Sequence, residues 1–155
     1  MGGEHGHDAN RVVGAAEQWL GTVQQLAPDD VASISFKSFA PVRSPGAVAL
    51  GYFLGGRLRG VAHLLPLKRT PRSRAEIRVA VDERWQGCGI GTLLMEALLQ
   101  QAHLLGLEDL YLRCHALNEP MQHLAERFGA EISFEDCQAY GRIRLADNAC
   151  ISQAR

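Results

Sequence analysis

The stretch AEIRVAVDERWQGCGIGTLLMEALL, residues 75–99, decides the fold of this chain. It begins with an apolar run that is typical of a β-strand, residues 75–81, and continues into a loop with three glycines. From residue 89 to residue 105 apolar side chains recur with the period of an α-helix, and Gly106 is typical of a helix C-terminal cap. The stretch therefore predicts a strand, a glycine-rich loop and a helix in direct succession.

The loop between the predicted strand and helix has the features of an anion-binding site. Glycine lets the backbone come close to a ligand, and the first turn of a helix offers unpaired N–H groups with a partial positive charge. A phosphate or pyrophosphate is the ligand expected there. A P-loop would need a lysine after its last glycine, where this chain has Thr92 after Gly91. The fingerprint GxGxxG of dinucleotide-binding proteins is not met either, because Thr92 follows the three glycines.

Length and composition limit the possible classes of protein. The chain has 155 residues, of which 46% are apolar and 21% charged, and both fractions are ordinary for a soluble globular domain. We expect one domain over residues 9–150, a flexible tail at residues 1–8 and a short tail at residues 151–155. The net charge of −1 gives no indication of a nucleic-acid or membrane partner.

Targeting and metal signals are also missing from the sequence. No apolar run approaches the roughly 18 residues that cross a bilayer, and the N-terminus does not resemble a secretory signal. The four cysteines are widely spaced and form no CxxC pair, which predicts free thiols, a cytoplasmic location and no metal site.

The first half of the chain gives mixed signals. Residues 9–26 carry apolar side chains at helical spacing, and Pro28 lies where it can stop a helix. Residues 31–39 alternate weakly and predict a strand or an irregular connection. Residues 47–54 and 57–67 predict two strands of a hairpin around the dipeptide Gly55-Gly56.

The second half is clearer. Residues 110–114 predict a strand, and Asn118 is a candidate N-cap for a short helix that Gly129 closes. Residues 132–134 and 140–145 predict a final pair of strands. The order β-β-β-α-β-α-β-β predicts a mixed sheet with helices on its faces.

The pattern Gln-x-x-Gly-x-Gly is met by Gln86, Gly89 and Gly91, and it resembles the acetyl-CoA pyrophosphate loop of the GNAT family of N-acetyltransferases. The resemblance covers about residues 47–145. It implies an α/β (α+β) fold, with a mixed, mostly antiparallel sheet and helices on both faces. The sequences at residues 75–76, 85–87 and 118–125 are most similar to the acetyltransferase domains of bacterial protein-lysine acetyltransferases.

The resemblance also implies roles for particular residues. Glu76 corresponds to the general base of the protein-acetylating branch, although it could instead be a strand glutamate paired with Arg74 or Arg78. No metal is implied. The positions that correspond to acetyl-CoA contacts are Val79, Val81, Gln86, Gly87, Cys88, Gly89, Ile90, Gly91, Thr92 and Asn118. Val79 and Val81 correspond to the strand whose backbone pairs with the pantetheine arm, and residues 86–92 to the pyrophosphate loop, where Cys88 contributes only backbone.

The chain departs from the family pattern at one position of chemical importance. Many members carry a tyrosine that protonates the leaving thiolate, and that position here is Ala125. Water could supply the proton, or Tyr111 or Tyr140 could reach the site from elsewhere. The departure keeps open a non-catalytic acyl-CoA-binding module, and a nucleotide-binding protein is a third hypothesis.

The acceptor and the partners are less constrained. A protein lysine, a protein N-terminus and a small amine are all compatible with the resemblance, and a homodimer is possible. Residues 57–78 contain seven basic side chains and one acid. This basic segment predicts either a solvated hairpin edge or a patch that meets an anionic ligand such as the ribose phosphate of CoA.

Overall fold

The computed structural model describes residues 21–36, 39, 42, 44–68 and 73–145. A short 3₁₀ turn, Glu83–Trp85, lies between the fourth strand and the long helix. The helices and strands are, in chain order, β1 (Thr22–Gln25), α1 (Pro28–Ala32), β2 (Val48–Leu54), β3 (Arg57–Leu67), β4 (Arg74–Val81), α2 (Ile90–Leu104), β5 (Asp109–His115), α3 (Glu119–Arg127), β6 (Glu131–Glu135) and β7 (Gln138–Arg144).

The strands form one seven-stranded sheet in the order β1-β2-β3-β4-β5-β7-β6. All neighbours in the described sheet pair antiparallel except β4 and β5, which are parallel. Helices α2 and α3 cover one face and share the main core with it, whereas α1 packs on the opposite face. The predicted mixed, mostly antiparallel sheet with helices on both faces is confirmed.

The β2–β3 hairpin forms as the sequence predicts. Gly55 and Gly56 have φ angles of 59° and 76°, the positive values that both central residues of a type I′ turn require. This turn matches the right-handed twist of the two strands, so it fixes their register from Leu54 opposite Arg57 onward.

Helix α2 provides one side of the main core. Its residues Leu94, Met95 and Leu98 are completely buried against the sheet. The helix begins after Gly89 and is followed by Gly106, both with positive φ, which agrees with the predicted limits of residues 89–105 to within one residue. Packing along the whole of α2 fixes the position of its first residue, Ile90. The end of the glycine loop that leads into the helix is therefore fixed as well.

The predicted helix over residues 9–26 is wrong at its C-terminal end. Thr22–Gln25 form β1, which pairs with β2 from Thr22 opposite Phe53 to Gln25 opposite Leu50. The ladder with β2 satisfies backbone groups in extended form, and this tertiary pairing overrides the local helical spacing. Residues 9–20 lie outside the described part of the chain.

The segment after β1 also differs from prediction. Pro28 does not end a helix but lies in the first turn of α1, where its missing N–H is harmless. Asp29 and Asp30 follow it and favour a helix N-terminus. For residues 31–39 the sequence predicted a strand or an irregular connection; Val31 and Ala32 belong to α1, and the other described positions form an irregular connection.

The second half of the chain folds as predicted. The Asn118 side chain accepts a hydrogen bond from the backbone N–H of Met121, so it caps α3, and Gly129 follows that helix with a φ of 84°. Strand β5 and the β6–β7 pair extend their predicted ranges by one or two residues at most ends. No helix in the described part of the chain is long and apolar enough to span a membrane. The predicted tails and the end of the predicted domain, residues 146–150, lie outside that part.

The core face of α2 generates a stability prediction. We expect Leu98→Ala to lower the free energy of unfolding by about 2–5 kcal/mol, because it removes a completely buried side chain from a packed core. Leu104→Ala is the matched control: it lies on the same helix but is 80% exposed, and should change stability by less than about 0.5 kcal/mol. Urea unfolding at pH 7 measures both. Equal effects for the two variants would contradict the assigned burial.

A buried histidine generates a pH prediction. His63 is 2% exposed, and burial, together with the Arg78 guanidinium, lowers its pKa. The unfolded chain, whose histidine pKa is about 6.5, therefore binds more protons than the native state as the pH falls through that value. The contribution of neutral His63 to the free energy of unfolding is fully present above about pH 6.5, and it is lost as the pH falls toward the lowered pKa.

We expect His63→Gln to show a smaller decrease of melting temperature between pH 7.5 and pH 5.5 than the unmodified protein. His103→Gln, at an exposed position of α2, should keep the full decrease. An unchanged slope in His63→Gln would show that the residue does not titrate differently in the two states.

Candidate active site

Strands β4 and β5 separate after a short parallel ladder. Their pairs run from Arg74 opposite Asp109 to Glu76 opposite Tyr111, and no later pair forms. The remaining residues of β4, up to Val81, thus have no β5 partner on that side. Such a gap leaves main-chain N–H and C=O groups available to a ligand that can pair as another strand would.

A charged cluster holds the closed end of this split. Asp109 is 1% exposed, and its carboxylate lies 3.3 Å from the Arg142 guanidinium and 3.8 Å from that of Arg74. The Arg74 guanidinium also lies over the ring of Tyr111, 5.7 Å from its centroid. Because these residues belong to β4, β5 and β7, the cluster ties together the three strands on which the split depends.

A groove of about 1370 Å³ runs along the split. It is larger than the roughly 300–1,000 Å³ of a typical small-molecule site, so it has room for two substrates. Its walls come from the end of β4, the glycine loop, the start of α2, the end of β5, α3 and the connection after α1. The predicted site residues that line it are Glu76, Val79, Val81, Gln86, Gly87, Gly89, Ile90, Gly91, Thr92 and Asn118.

The glycine loop forms an open cradle at one end of the groove. Gly87 and Gly89 have φ angles of 81° and 84°, and a Cβ added at either position would meet nothing within 4 Å. Their glycine identity is therefore required by conformation and not by crowding. The first helical hydrogen bond is Leu93 N–H to the Gly89 carbonyl, which leaves the N–H groups of residues 90–92 directed out of the helix end.

The first turn of α2 also packs closely against α3. A Cβ at Gly91 would lie 3.2 Å from the Leu124 side chain, so a larger residue would require that side chain to shift by a few tenths of an ångström. The Arg127 guanidinium at the end of α3 donates a hydrogen bond of 3.1 Å to the Thr92 hydroxyl. The cradle is thus braced from the α3 side.

Arg59 braces the cradle from the opposite side. The register of β2 and β3 shifts between Tyr52 and Phe53, so that Arg59 lies in an irregularity of the ladder, which can redirect a side chain. Its guanidinium donates to the Asp82 carboxylate at 3.1 Å and lies 4.9 Å from the centre of the Trp85 ring. The backbone N–H of Arg84 and the Arg59 guanidinium hold the pKa of Asp82 below its usual range, so the carboxylate stays charged at neutral pH.

Gln86 and Cys88 differ from the other loop residues, because the first forms a side-chain hydrogen bond to β4 and the second does not line the groove. The Gln86 amide donates a 3.2 Å hydrogen bond to the Val81 carbonyl, so its side chain closes the loop onto the strand end. Cys88 belongs to the loop but does not line the groove, although it was predicted to contribute backbone to the site. Its thiol lies 3.9 Å from the Gln86 carbonyl and is exposed.

Glu76 lies at the point where the split opens. Its Oε1 atom accepts hydrogen bonds from Nε and Nη2 of Arg78, at 3.1 and 3.0 Å. The sequence left open a structural pairing with Arg74 or Arg78, and the structure selects Arg78. Within the described residues the other oxygen, Oε2, accepts no hydrogen bond, and the side chain is 27% exposed in the groove. The ion pair therefore orients the carboxylate and leaves one oxygen without a hydrogen bond from the described residues.

Tyr111 and Tyr140 were the two candidates to replace the tyrosine that the family pattern places at position 125. Ala125 is completely buried in the main core and has no polar group to offer. Tyr111 is in contact with Arg74, and Tyr140 lies on β7; neither lines the groove. No tyrosine is among the described residues that line it, so of the alternatives that the sequence left open, water and not Tyr111 or Tyr140 agrees with the groove.

Several groove residues escaped the sequence analysis. Phe36 and Phe39 come from the connection after α1, and Arg113 from β5. The basic segment contains Arg59 and Arg78, but these two arginines bind Asp82 and Glu76 of the protein itself. The sequence indicated Arg59 and Arg78 only through the high positive charge of residues 57–78. No group of three or more potential metal ligands occurs in the described part of the chain.

Comparison with known proteins identifies the family of this chain. The family model described as acetyltransferase (GNAT) family matches residues 13–130. The ribosomal-protein-S18-alanine N-acetyltransferase from Escherichia coli is 17% identical with a TM-score of 0.67, over 81% of this chain and 94% of that chain. The GNAT domain of S. lividans PAT is 19% identical with a TM-score of 0.66, over 80% and 90%.

A third structure comes from Salmonella typhimurium and contains that protein's cofactor, acetyl-CoA. It is 16% identical with a TM-score of 0.65, over 81% of this chain and 94% of that chain. At these identities the structural likeness shows the shared fold, and the family model, which spans most of the chain, shows the relationship. The chain belongs to the GNAT family of acetyltransferases, and acetyl-CoA is its acyl donor.

Proposed function

We propose that this protein transfers an acetyl group from acetyl-CoA to a primary amine, with Glu76 as the general base. The observation that carries the proposal is the position of Glu76. It is the last β4 residue paired with β5, at the opening of the split, and one carboxylate oxygen there has no hydrogen bond within the described residues. A base at that point is in reach of both substrates.

The fit of the groove to acetyl-CoA rests on two features. The cradle offers unpaired N–H groups at a helix start and no Cβ atoms at Gly87 and Gly89, which suits a pyrophosphate. The β4 edge beyond Glu76 offers unpaired main-chain groups, which suit the amide-rich pantetheine arm. Val79 and the N–H of Val81 would provide these groups, since the Val81 carbonyl already accepts the Gln86 amide, and Asn118 lines the facing side of the groove.

Acetyl-CoA supplies the acetyl group as a thioester. A protonated amine must lose a proton before its nitrogen can attack, and the Glu76 carboxylate accepts that proton directly or through a water molecule. The amide C–N bond forms as the C–S bond breaks; the nitrogen then releases its second proton to solvent, and the sulfur takes up a proton to leave as a thiol. Because no described tyrosine lines the groove, we assign that last proton to water.

One of the similar structures is named for its acceptor. The Escherichia coli neighbour is named for the alanine of a ribosomal protein, and the fold alone does not select such a target for this chain. The similarity to protein-lysine acetyltransferases at residues 75–76, 85–87 and 118–125 supports a protein lysine, and the open groove supports a small amine. A non-catalytic acyl-CoA-binding module is the second candidate, favoured by the burial of Ala125.

Glu76→Gln tests the catalytic proposal. We expect kcat to fall roughly 10²–10⁴-fold, because the amide cannot accept a proton, while binding of acetyl-CoA is retained. Acetyl-CoA at about 100 times its Kd should still stabilise the variant by about 2.7 kcal/mol in thermal unfolding. Thiol release with a panel of amines measures turnover.

Glu126→Gln is the matched control, because Glu126 is exposed on α3 and does not line the groove. It should have the activity of the unmodified protein. Full activity of Glu76→Gln would remove Glu76 from the mechanism. Binding of acetyl-CoA without turnover of any amine would favour the non-catalytic module, and a thermal shift with ATP or NAD alone would favour the nucleotide-binding alternative.

Arg59→Gln tests the support of the cradle. The substitution removes the ion pair with Asp82 and the contact with Trp85, so the loop loses its brace on the β3 side. We expect the KM for acetyl-CoA to rise about 5- to 30-fold, which corresponds to about 1–2 kcal/mol, with a much smaller change in kcat. Steady-state kinetics separates the two parameters. Arg57→Gln, at the exposed end of the same strand, is the control, and an equal KM for both variants would contradict the role of Arg59.

A further inference from the structure

Two arginines face each other across the opening of the split. Glu76 and Tyr111 are the last paired residues of β4 and β5, and Arg78 and Arg113 each lie two positions further on. Side chains two residues apart on a strand lie on the same face, so both arginines share the face of Glu76. The opposite face carries Ile77 and the core.

The charge on this side of the groove is positive. Among the described residues that line the groove, Glu76, Asp82 and Glu83 are acidic, and the last two lie beyond the end of β4. Glu76 is already bound by Arg78. Arg113 is exposed to the groove and forms no hydrogen bond or ion pair within the described residues. A guanidinium in this position is ready to bind an anion.

The phosphates of CoA do not account for this charge. The cradle that suits the pyrophosphate begins after Val81, which lies three positions beyond Arg78, roughly 10 Å along the strand. The cradle has its own arginines, Arg84 and Arg127, among the residues that line the groove. Arg113 therefore lies at the acceptor end.

We propose that the acceptor is a small amine that carries its own carboxylate, and that Arg113 binds this carboxylate while Glu76 receives the amine. The inference rests on the proposed acetyltransferase function. Arg113 lies on the neighbouring strand, roughly 7 Å further along it and at least about 5 Å across from Glu76, and both side chains are long, so one molecule the size of an amino acid can reach both. A guanidinium pairs with a carboxylate through two parallel hydrogen bonds and repels a second cation.

The apolar wall of the groove agrees with this class of acceptor. Phe36 and Phe39 line the groove, and the ring of Phe39 packs against buried His63 at a centroid distance of 6.0 Å. An amino acid with an apolar side group would place that group against the phenyl rings. A lysine within a basic peptide would instead bring further positive charge toward Arg113.

An acceptor series with matched charge tests the proposal. The unmodified protein and acetyl-CoA are combined with L-phenylalanine, L-leucine and L-methionine, with the amide of each, and with phenethylamine. Spermidine, a lysine peptide with basic neighbours and a lysine peptide with acidic neighbours complete the series. We expect kcat/KM for the free amino acids to exceed that for their amides by about 10- to 100-fold, the range of a charge-assisted hydrogen bond.

Arg113→Gln should lower that ratio at least 10-fold, and Arg113→Lys should restore part of it. The KM for acetyl-CoA and the melting temperature should stay near those of the unmodified protein, which shows that the variant is folded. Arg57→Gln, an exposed arginine outside the groove, should keep the full ratio.

Three outcomes would overturn the inference. Preferred acetylation of the amides, phenethylamine, spermidine or the basic peptide would remove the carboxylate from recognition but leave the acetyltransferase function intact. Preferred acetylation of the acidic peptide over the free amino acids would assign the arginine to a protein acceptor. Acetylation of no member of the series, with acetyl-CoA bound, would overturn both the inference and the proposed function.

Discussion

The separation of β4 from β5 is the constraint on which the site depends. A parallel pair of strands would normally continue along its length, yet here it ends after three pairs. The closed end is held by buried Asp109 between Arg74 and Arg142, an arrangement in which removal of one partner would leave a buried charge uncompensated. Because that end cannot slip, the point where the split opens is fixed in register, and Glu76 stands at it.

The glycine loop is positioned by packing on both sides and has few contacts of its own. A Cβ added at Gly87 or Gly89 would meet nothing within 4 Å, so side-chain packing at these two positions does not hold the loop in place. Arg59 holds it from β3 through Asp82 and Trp85, and Arg127 holds Thr92 from α3. A cradle with open space inside and charged contacts outside can admit a ligand without rearrangement, which lowers the ordering cost of binding.

Local chemistry explains which parts could be predicted from the sequence. Positive φ at glycines, helical spacing and the Asn118 cap are decided by near neighbours, so the strand, loop and helix of residues 75–105 and the start of α3 were predictable. β1 was not, because its helical spacing gave way to pairing with a strand more than twenty residues away. The roles of Arg59 and Arg113 depend on a ladder irregularity and on the register of a parallel pair, and neither leaves a local pattern.

Ala125 stands where the family pattern places a tyrosine, and in this structure its role is packing. Ala125 is completely buried in the main core beside Leu124 and Phe128, so the position contributes to packing between α3 and the sheet. A phenol ring there would need space that core side chains now fill, and overpacking destabilises a core. In the proposed mechanism the Glu76 carboxylate, oriented by Arg78, serves the step that most needs a catalyst. A primary amine is mostly protonated at neutral pH, so its attack gains from a base that removes the proton. A thiolate, in contrast, is a leaving group that water can protonate after the bond has broken.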